Sequence, residues 1–518
     1  MNQEITAEKG IAAFARRRLV AGLMVLHSVI TLPFAFVLNI WTDEASTLYT
    51  TRNGFFQTFQ NVFADEKQAP LYFLFLSLWR GIDGSVIFAR FPSIIFSLLA
   101  IKFFYDLAGK FLEENSVRFV CFFFAIHPYL IWASTEIRVY SLVILLSMAL
   151  LYFFADGYAN SEIEDAQTRK KARIWFISLA IVALYTNYYL GFLLVGGFVA
   201  LLIIRRFRAA RDYFLQMLLV GVVFAPLLWI FTHQYADNAD DFIETKSIGT
   251  GAEILLSQLL DLVFPMSLAF GGGLSAISVA RLGFLALSIA AIVFFLFKNK
   301  FRAVNENVWL CGAFVLTTCA FLFAAYLALG SPYLAPRHFA VLFAPLVLFV
   351  VVLAKNVLPR RVLVVICVLF AVLFPYSKIY KQFPNFTKRG DWARVARFIE
   401  SNEKPNQPII VFRNYDALSL PVYYKGVNRI LPDEKFFAWA QEDAPESENA
   451  FRRQTEYIIS LVPPDAAEIW LATEEICYTE KTKAACRPLE NFVEANYTVV
   501  EAKEFYREKV HLLRKKPK

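Results

Sequence analysis

The run LVAGLMVLHSVITLPFAFVLNI, Leu19 to Ile40, ends in Trp41-Thr42-Asp43-Glu44, and the fold is read outward from this junction. About 20 apolar residues in a helix cross a hydrocarbon core of roughly 30 Å, so the two carboxylates emerge at the far membrane–water boundary. Ionised side chains at that depth are costly unless paired or solvated, which marks the pair as a candidate site. A plainer reading is that Asp43 caps the next helix and Glu44 complements its dipole. The remainder of the chain has to decide between the two.

A chain of 518 residues that is 58% apolar and 16% aromatic, with repeated runs nearly free of charge, is a polytopic membrane protein. Its net charge of +8 comes from basic residues in the short connections between apolar runs, a pattern suited to anionic lipids, and no nucleic-acid motif accompanies it. The stretch Met1–Arg18 lacks the short apolar core and small-residue cleavage site of a signal peptide, so Leu19–Ile40 is expected to remain as an anchor. Arg16-Arg17-Arg18 before it put the amino terminus in the cytoplasm and Asp43 outside.

Pro70–Trp79 is apolar but too short to cross, and is expected to dip into the outer leaflet. Phe55, Phe56 and Phe59 in the preceding loop are spaced for a short helix lying on the surface. With that choice the spans are Val86–Ala108, Val117–Ala133, Val139–Ala155, a hairpin over Ile174–Ile204 turning at Thr186-Asn187-Tyr188-Tyr189, Phe214–Phe231, Ile277–Phe297, Val308–Leu329, Phe339–Leu353 and Val362–Phe374. All large basic loops then fall on one side. The expectation is eleven crossings, or up to thirteen if Pro70–Trp79 and the region Leu255–Phe270 also span.

The membrane module therefore covers residues 1–380, with a first outer loop over about 41–69, and a soluble extracytoplasmic tail covers 381–518. In the tail, Asp391–Asn402 and Arg452–Val462 read as helices, Pro408–Phe412 and Glu468–Thr473 as buried strands, and Tyr497–Leu513 as two extended segments, which together predict a small α/β domain. Cys121, Cys311, Cys319 and Cys367 lie in apolar runs, whereas Cys477 and Cys486 lie close together in the tail and could bond in an oxidising compartment.

Three outward stretches join the acidic pair: Asp65 to Tyr72, containing Glu66 and Lys67; Ser134 to Tyr140, containing Glu136 and Arg138; and Pro336-Arg337-His338-Phe339. Taken singly, charges at span ends commonly snorkel or pair with a neighbour. Together they gather carboxylates and several cations at one boundary. His127 and His233 fall on the same face without the spacing of metal ligands.

In these features the chain resembles the GT-C glycosyltransferases, in particular the group that contains the lipid A aminoarabinose transferases and the protein O-mannosyltransferases. The resemblance rests on Trp41-Thr42-Asp43-Glu44-Ala45, Glu66-Lys67 with Pro70-Leu71-Tyr72, Ala89-Arg90-Phe91-Pro92-Ser93, Ser134–Tyr140 with Leu142, Leu184–Tyr189, and Pro336-Arg337-His338, in family order over residues 41–338. It implies a GT-C fold and transfer of a sugar, with inversion, from a polyprenyl phosphate to a cell-envelope lipid, glycan or protein at the extracytoplasmic face of the inner membrane. Asp43 is then the candidate base, and Glu44 a neighbour that caps or supports it. Arg138, Arg337 and Lys67 are the candidates to stabilise the departing phosphate, with holding Asp43 in place as the alternative role for Lys67. Glu66, Tyr72, Glu136, Tyr140, Tyr189 and His338 are candidate substrate contacts. Arg90 is expected to anchor the interface, to pair with Glu66 or Glu136, or to touch the lipid phosphate.

Relatives carry histidine where Gln68 and Asn187 stand and tyrosine where His338 stands, so the divalent metal found in part of the family is not assigned and no cofactor is. A transporter or lipid flippase using the same charges as a relay is the alternative. Such proteins show internal repeats and polar residues near the middle of their spans, and neither is evident here.

Overall fold

The computed structural model describes residues 2–66, 68–160, 165–236, 247–263, 276–299, 304–330, 334–373, 383, 386–388, 390–412, 416–432, 456–474 and 486–517. The chain divides into two compact units. One comprises Met1–Phe36, Asn53–Ala236 and Glu244–Gln382; the other comprises Val37–Arg52, Asp237–Ile243 and Phe383–Lys518.

The first unit is helical. Its elements are α1 (Asn2–Val37), α3 (Phe55–Asp65), α4 (Leu71–Arg80), α5 (Val86–Ala108), α6 (Glu114–Ala125), α7 (Pro128–Thr135), α8 (Tyr140–Phe154), α9 (Ala166–Thr186), α10 (Leu190–Ile203), α11 (Phe207–Ala236), α12 (Ile248–Val263), α13 (Ala276–Lys298), α14 (Glu306–Leu329), α15 (Ala340–Val357) and α16 (Arg360–Leu373); α2 (Thr42–Thr50) belongs to the second unit. Among the described residues six segments are long and apolar enough to cross a membrane: Phe14–Val37, Val86–Ala108, Tyr140–Ala159, Phe207–Leu228, Glu306–Leu329 and Pro336–Val357. A seventh is broken: α6 and α7 together pass the same test but meet at a bend of 49°. The bend has a local cause, since Pro128 opens α7 and the His127 ring caps it by accepting from the Tyr129 N–H at 3.1 Å. The chain is a multi-pass membrane protein.

Four of the eleven expected crossings are not among these seven. In the expected Ile174–Ile204 hairpin, α9 ends at Thr186 and α10 begins at Leu190, and α10 is among the shorter apolar helices. The expected spans Ile277–Phe297 and Val362–Phe374 correspond to α13, apolar over its shorter stretch Leu282–Lys298, and to α16, of 14 residues. The helix expected to dip, α4, has ten residues. α3 carries Phe55, Phe56 and Phe59 exposed, as a surface helix does.

The centre of this unit is α5 against α8, α10 against α14, and α15 between α8 and α14. Gly196 in α10 stands where a Cβ would lie 3.2 Å from the Phe314 backbone of α14, which explains the close approach of the two helices. At one end of the bundle, ion pairs tie helix ends together: Lys110–Asp156 at 2.6 Å, Arg206–Glu306 at 2.6 Å and Arg173–Asp212 at 3.3 Å.

The second unit is an α/β layer structure. Its sheet has the order β2 (Ile430–Leu431), β1 (Ile409–Val411), β3 (Glu468–Glu474), β5 (Glu508–Lys515), β4 (Tyr497–Glu504), parallel among the first three and antiparallel from β3 onward. Alternation along β1 sends Ile409 and Val411 to one core with Trp392, Val395 and Ile399 of α17 (Trp392–Asn402), and Ile410 to the other with Leu489 of α19 (Arg487–Asn496). The central strands β1 and β3 are thus buried on both faces, while the edge strand β4 is exposed along most of its length. Between them α18 is the single turn Leu420–Tyr423. Of the expected helix Arg452–Val462, residues 456–460 are described and helical. Cys486 is disulfide-bonded and buried, while its expected partner Cys477 lies outside the described residues. Cys121, Cys311 and Cys319 are free.

Candidate active site

The acidic pair belongs to the second unit. After α1 the backbone extends at Trp41 and re-enters a helix at Thr42, so Asp43 and Glu44 stand in the first turn of α2. An acid there complements the partial positive charge of the exposed N–H groups. The two side chains nonetheless occupy different environments. Glu44 is fully buried; its Oε2 accepts from the Trp41 N–H at 3.3 Å and from Lys388 Nζ at 2.8 Å. Asp43 is half-buried, and its carbonyl accepts from the Thr47 hydroxyl at 3.0 Å.

Lys388 is itself buried, 4% exposed, and its own N–H donates to Asn39 Oδ1 at 2.7 Å. Asn39 Nδ2 in turn donates to the Gly390 carbonyl, and the Ile40 N–H donates to the Tyr423 hydroxyl at 2.6 Å. Gly390 has φ +88°, and a Cβ there would stand 3.1 Å from Glu508 Oε1 and from the Trp392 ring, so both conformation and space demand glycine. The next residue, Asp391, donates its N–H to Glu508 Oε2 at 2.6 Å and accepts from Arg394 at 3.0 Å. Burial holds the Asp391 carboxyl above the usual range, with Arg394 opposing that shift. The segment after the first span is therefore clamped by residues near the start of the tail. Lys388, Asn39 and Gly390 went unnoticed in the sequence; the one cue was a buried-type helix, Trp392–Asn402, preceded at once by charges and a glycine.

In the first unit the sequence-selected residues form a connected aromatic and basic cluster. Arg138 is buried, with its guanidinium 6.0 Å from the centre of the Tyr140 ring. Tyr140 stacks on Trp132 at 4.9 Å, and Trp132 packs on Tyr129 at 5.2 Å. The Tyr129 hydroxyl donates to the Pro336 carbonyl at 2.9 Å, which ties α7 to the 3-10 turn Pro336–Phe339 and hence to Arg337 and His338. The His338 ring stacks on Tyr189 at 4.8 Å. Tyr189 is held by an Asx turn in which its N–H donates to Asn187 Oδ1 at 3.0 Å. Arg138, Tyr140, His338 and Tyr189, drawn from three separate stretches of chain, are thus linked through Trp132, Tyr129 and the turn Pro336–Phe339, in which Arg337 adjoins His338.

Glu136 is buried at the end of α7, its carbonyl accepting from Ser93 at 2.6 Å. Arg90 is buried and donates to the Ala35 carbonyl at 2.7 Å. Tyr72 and Glu66 are buried as well, and Lys67 lies outside the described residues. His127 donates from Nε2 to the Leu262 carbonyl at 2.9 Å while capping α7, which accounts for both ring nitrogens. The side chain of His233 lies outside the described residues. A further buried link, absent from the sequence reading, joins α1 to α7: His27 Nδ1 bonds the Ala125 carbonyl at 2.6 Å, and Nε2 meets the Ser134 hydroxyl at 2.8 Å. Among the described residues no three His, Cys, Asp or Glu side chains are grouped to hold a metal ion.

No family model matches the sequence, and no curated protein matches it. In three dimensions the chain is similar to the aminoarabinose transferase ArnT of Cupriavidus metallidurans, at 13% identity and a TM-score of 0.43, over 95% of this chain and 98% of that one in the apo state. For ArnT bound to undecaprenyl phosphate the identity is again 13%, the TM-score 0.44 and the coverage 95% and 97%. The oligosaccharyltransferase of Archaeoglobus fulgidus in complex with Zn and sulfate gives 12% identity and a TM-score of 0.46, over 90% of this chain and 69% of that one.

Proposed function

We propose that the protein is an inverting membrane glycosyltransferase of the GT-C type, with Asp43 as general base and a polyprenyl-phosphate sugar as donor. The observation that carries this reading is the unequal fate of two adjacent carboxylates. Glu44 is consumed by an ion pair with Lys388 and by capping α2, whereas Asp43, one residue earlier, retains access to solvent. A base that must meet an incoming hydroxyl needs that access, and a rigid neighbour fixes the turn that aims it. The order of motifs over residues 41–338 supports the same reading.

In the proposed reaction Asp43 takes the proton of the acceptor hydroxyl as its oxygen bonds to the anomeric carbon from the face opposite the phosphate. The bond from that carbon to the phosphate oxygen breaks, and the polyprenyl phosphate leaves with the electron pair. Arg138 and Arg337 are assigned to the charge that builds on the leaving phosphate, because guanidinium groups in a partly dry setting stabilise it strongly. Lys67 is proposed as a third cation for that charge. Glu66, Tyr72, Glu136, Tyr140, Tyr189 and His338 are proposed to shape the substrate site. The basic loops support an inner-membrane orientation with a cytoplasmic amino terminus and an extracytoplasmic tail. The acceptor is proposed to be a lipid, glycan or protein of the cell envelope.

The test is transfer from a radiolabelled polyprenyl-phosphate sugar to membrane acceptors by the purified protein. Asp43→Asn is expected to reduce turnover by roughly 10²–10⁴-fold, the usual contribution of a general base, without lowering the melting temperature. Turnover within a few-fold of wild type would remove Asp43 from the role.

A further inference from the structure

The ion-paired end of the helical bundle holds a cleft of about 690 Å³ lined, among the described residues, by Arg169, Arg173, Arg205, Arg206 and Arg208 and by the acid Asp212. We propose that this cleft binds the phosphate headgroup of an anionic phospholipid, at a site separate from the acidic pair and independent of the transfer reaction.

Three observations carry it. The floor is built around an irregular helix end: α8 continues into a π turn over Ala155–Ala159, and Gly157 in that turn lies where a Cβ would be 3.1 Å from the Arg173 side chain. Arg173 is pinned there by donating to the Gly157 carbonyl at 2.9 Å, by Asp212 at 3.3 Å and by the Tyr158 ring, whose centre is 4.9 Å from the guanidinium. Local departures from regular helix tend to mark places where backbone must serve a function.

The rim carries the second departure. Arg205 has φ +59°, and its N–H donates to the Leu202 carbonyl while that of Arg206 donates to Leu201, the paired bonds that close a helix with a left-handed residue. Glycine is the favoured residue at such a position, and arginine costs more there. The strain sets a guanidinium at the mouth of the cleft. Asp212 is already matched by Arg173, and Arg206 by Glu306 at 2.6 Å, so among the described residues Arg205 and Arg208 hold no ion pair and give the rim an excess of positive charge.

The third observation selects a lipid over a soluble anion. Phe207 lines the cleft and is exposed, and Phe214 and Leu218, seven and eleven residues further along α11, continue an exposed apolar stripe away from it. A phosphodiester seated on the arginines would lay its acyl chains along that stripe, whereas free phosphate gains nothing from it. Guanidinium forks suit phosphate oxygens, and basic recesses between spans are known to take phospholipid headgroups.

The experiment is native mass spectrometry of the full chain released from micelles doped equally with dioleoyl phosphatidylglycerol and dioleoyl phosphatidylcholine. Wild type is expected to retain phosphatidylglycerol preferentially, and each arginine removed should lower that preference about fivefold. Arg205→Gly with Arg208→Gln should therefore erase most of it, while the glycine keeps or raises the melting temperature. Should the double variant melt lower, Arg208→Gln alone carries the test, with the fivefold loss expected. Equal retention of the two lipids, or a preference that survives these substitutions, overturns the proposal. Displacement of the retained lipid by millimolar inorganic phosphate would overturn it too, in favour of a soluble-anion site.

Discussion

Glu44 and Lys388 lie 344 residues apart in the chain and 2.8 Å apart in the fold, both essentially out of water. Charges in such a place are tolerated only as a pair, because each alone would pay a desolvation cost that nothing repays. Removing only one partner is therefore the damaging change. Lys388→Met is expected to lower the stability of the unit that holds it by about 3–5 kcal/mol. Adding Glu44→Gln to that variant should recover most of the loss. A double-mutant cycle on melting of the purified protein reads this, and a double-variant loss equal to the sum of the Lys388→Met and Glu44→Gln losses would mean that the two side chains are not coupled. The sequence made the acidic pair legible because carboxylates directly after a span stand out. It could not say which of the two would be solvated, since that depends on Asn39 and Lys388 meeting across the whole length of the first unit's sequence. Arg138, Arg337, His338 and Tyr189 were legible as motif residues, but the links among them pass through Tyr129 and Trp132, which look like ordinary interfacial aromatics.

The elements divide in the same way between those that carry a local signature and those fixed by their neighbours. Strands β1 and β3 could be read because they are apolar on both faces, and α17 because Trp392, Val395 and Ile399 recur at helical spacing. β2 has two residues and exists only by pairing with β1. α19 was missed, although Pro488 in its first turn and Leu489, Phe492 and Val493 at helical spacing were a usable signal. The bend between α6 and α7 was also hidden inside one apolar run, although Pro128 marks it. At the sheet, Glu468 on β3 stands opposite Arg514 on β5, accepting from its Nε at 2.8 Å and from Gln407 at 2.6 Å. The Arg514 bond, against a smaller desolvation effect and aided by Gln407, holds this carboxyl below its ordinary range. A depressed folded-state pKa means that the unfolded chain binds the proton first, so the stabilisation is present above the ordinary glutamate range and is lost as pH falls through the folded value. The melting temperature of the wild type should fall more steeply below about pH 4.5 than that of Glu468→Gln, by an amount expected of one charge-assisted pair. Parallel curves for the two proteins would show that the pair contributes nothing.

At the scale of the molecule, the chain is not cut where its composition changes. Apolar content predicts a membrane module followed by a tail, yet Val37–Arg52, directly after the first span, packs in the same unit as Phe383–Lys518. Hydropathy reads local composition and is blind to such an exchange. The contacts responsible are specific: Asn39 with Lys388 and Gly390, Ile40 with Tyr423, and Glu44 with Lys388. A chain ending at Gln382 would retain every motif residue between positions 41 and 338 while losing all these partners. Glu44 would then be left without its buried counter-charge, and α2, nine residues long, is too short to hold its shape alone. The truncated protein is accordingly expected to insert and to span the membrane as before, since its apolar helices are intact. It should nevertheless be inactive in the transfer assay and be cut by protease between residues 37 and 52, where the full chain resists. Supplying residues 383–518 as a separate polypeptide should restore protection if the unit can assemble from two pieces. Full activity of the truncated protein would show that the tail is dispensable for positioning Asp43, and with it that the clamp around Lys388 serves stability only.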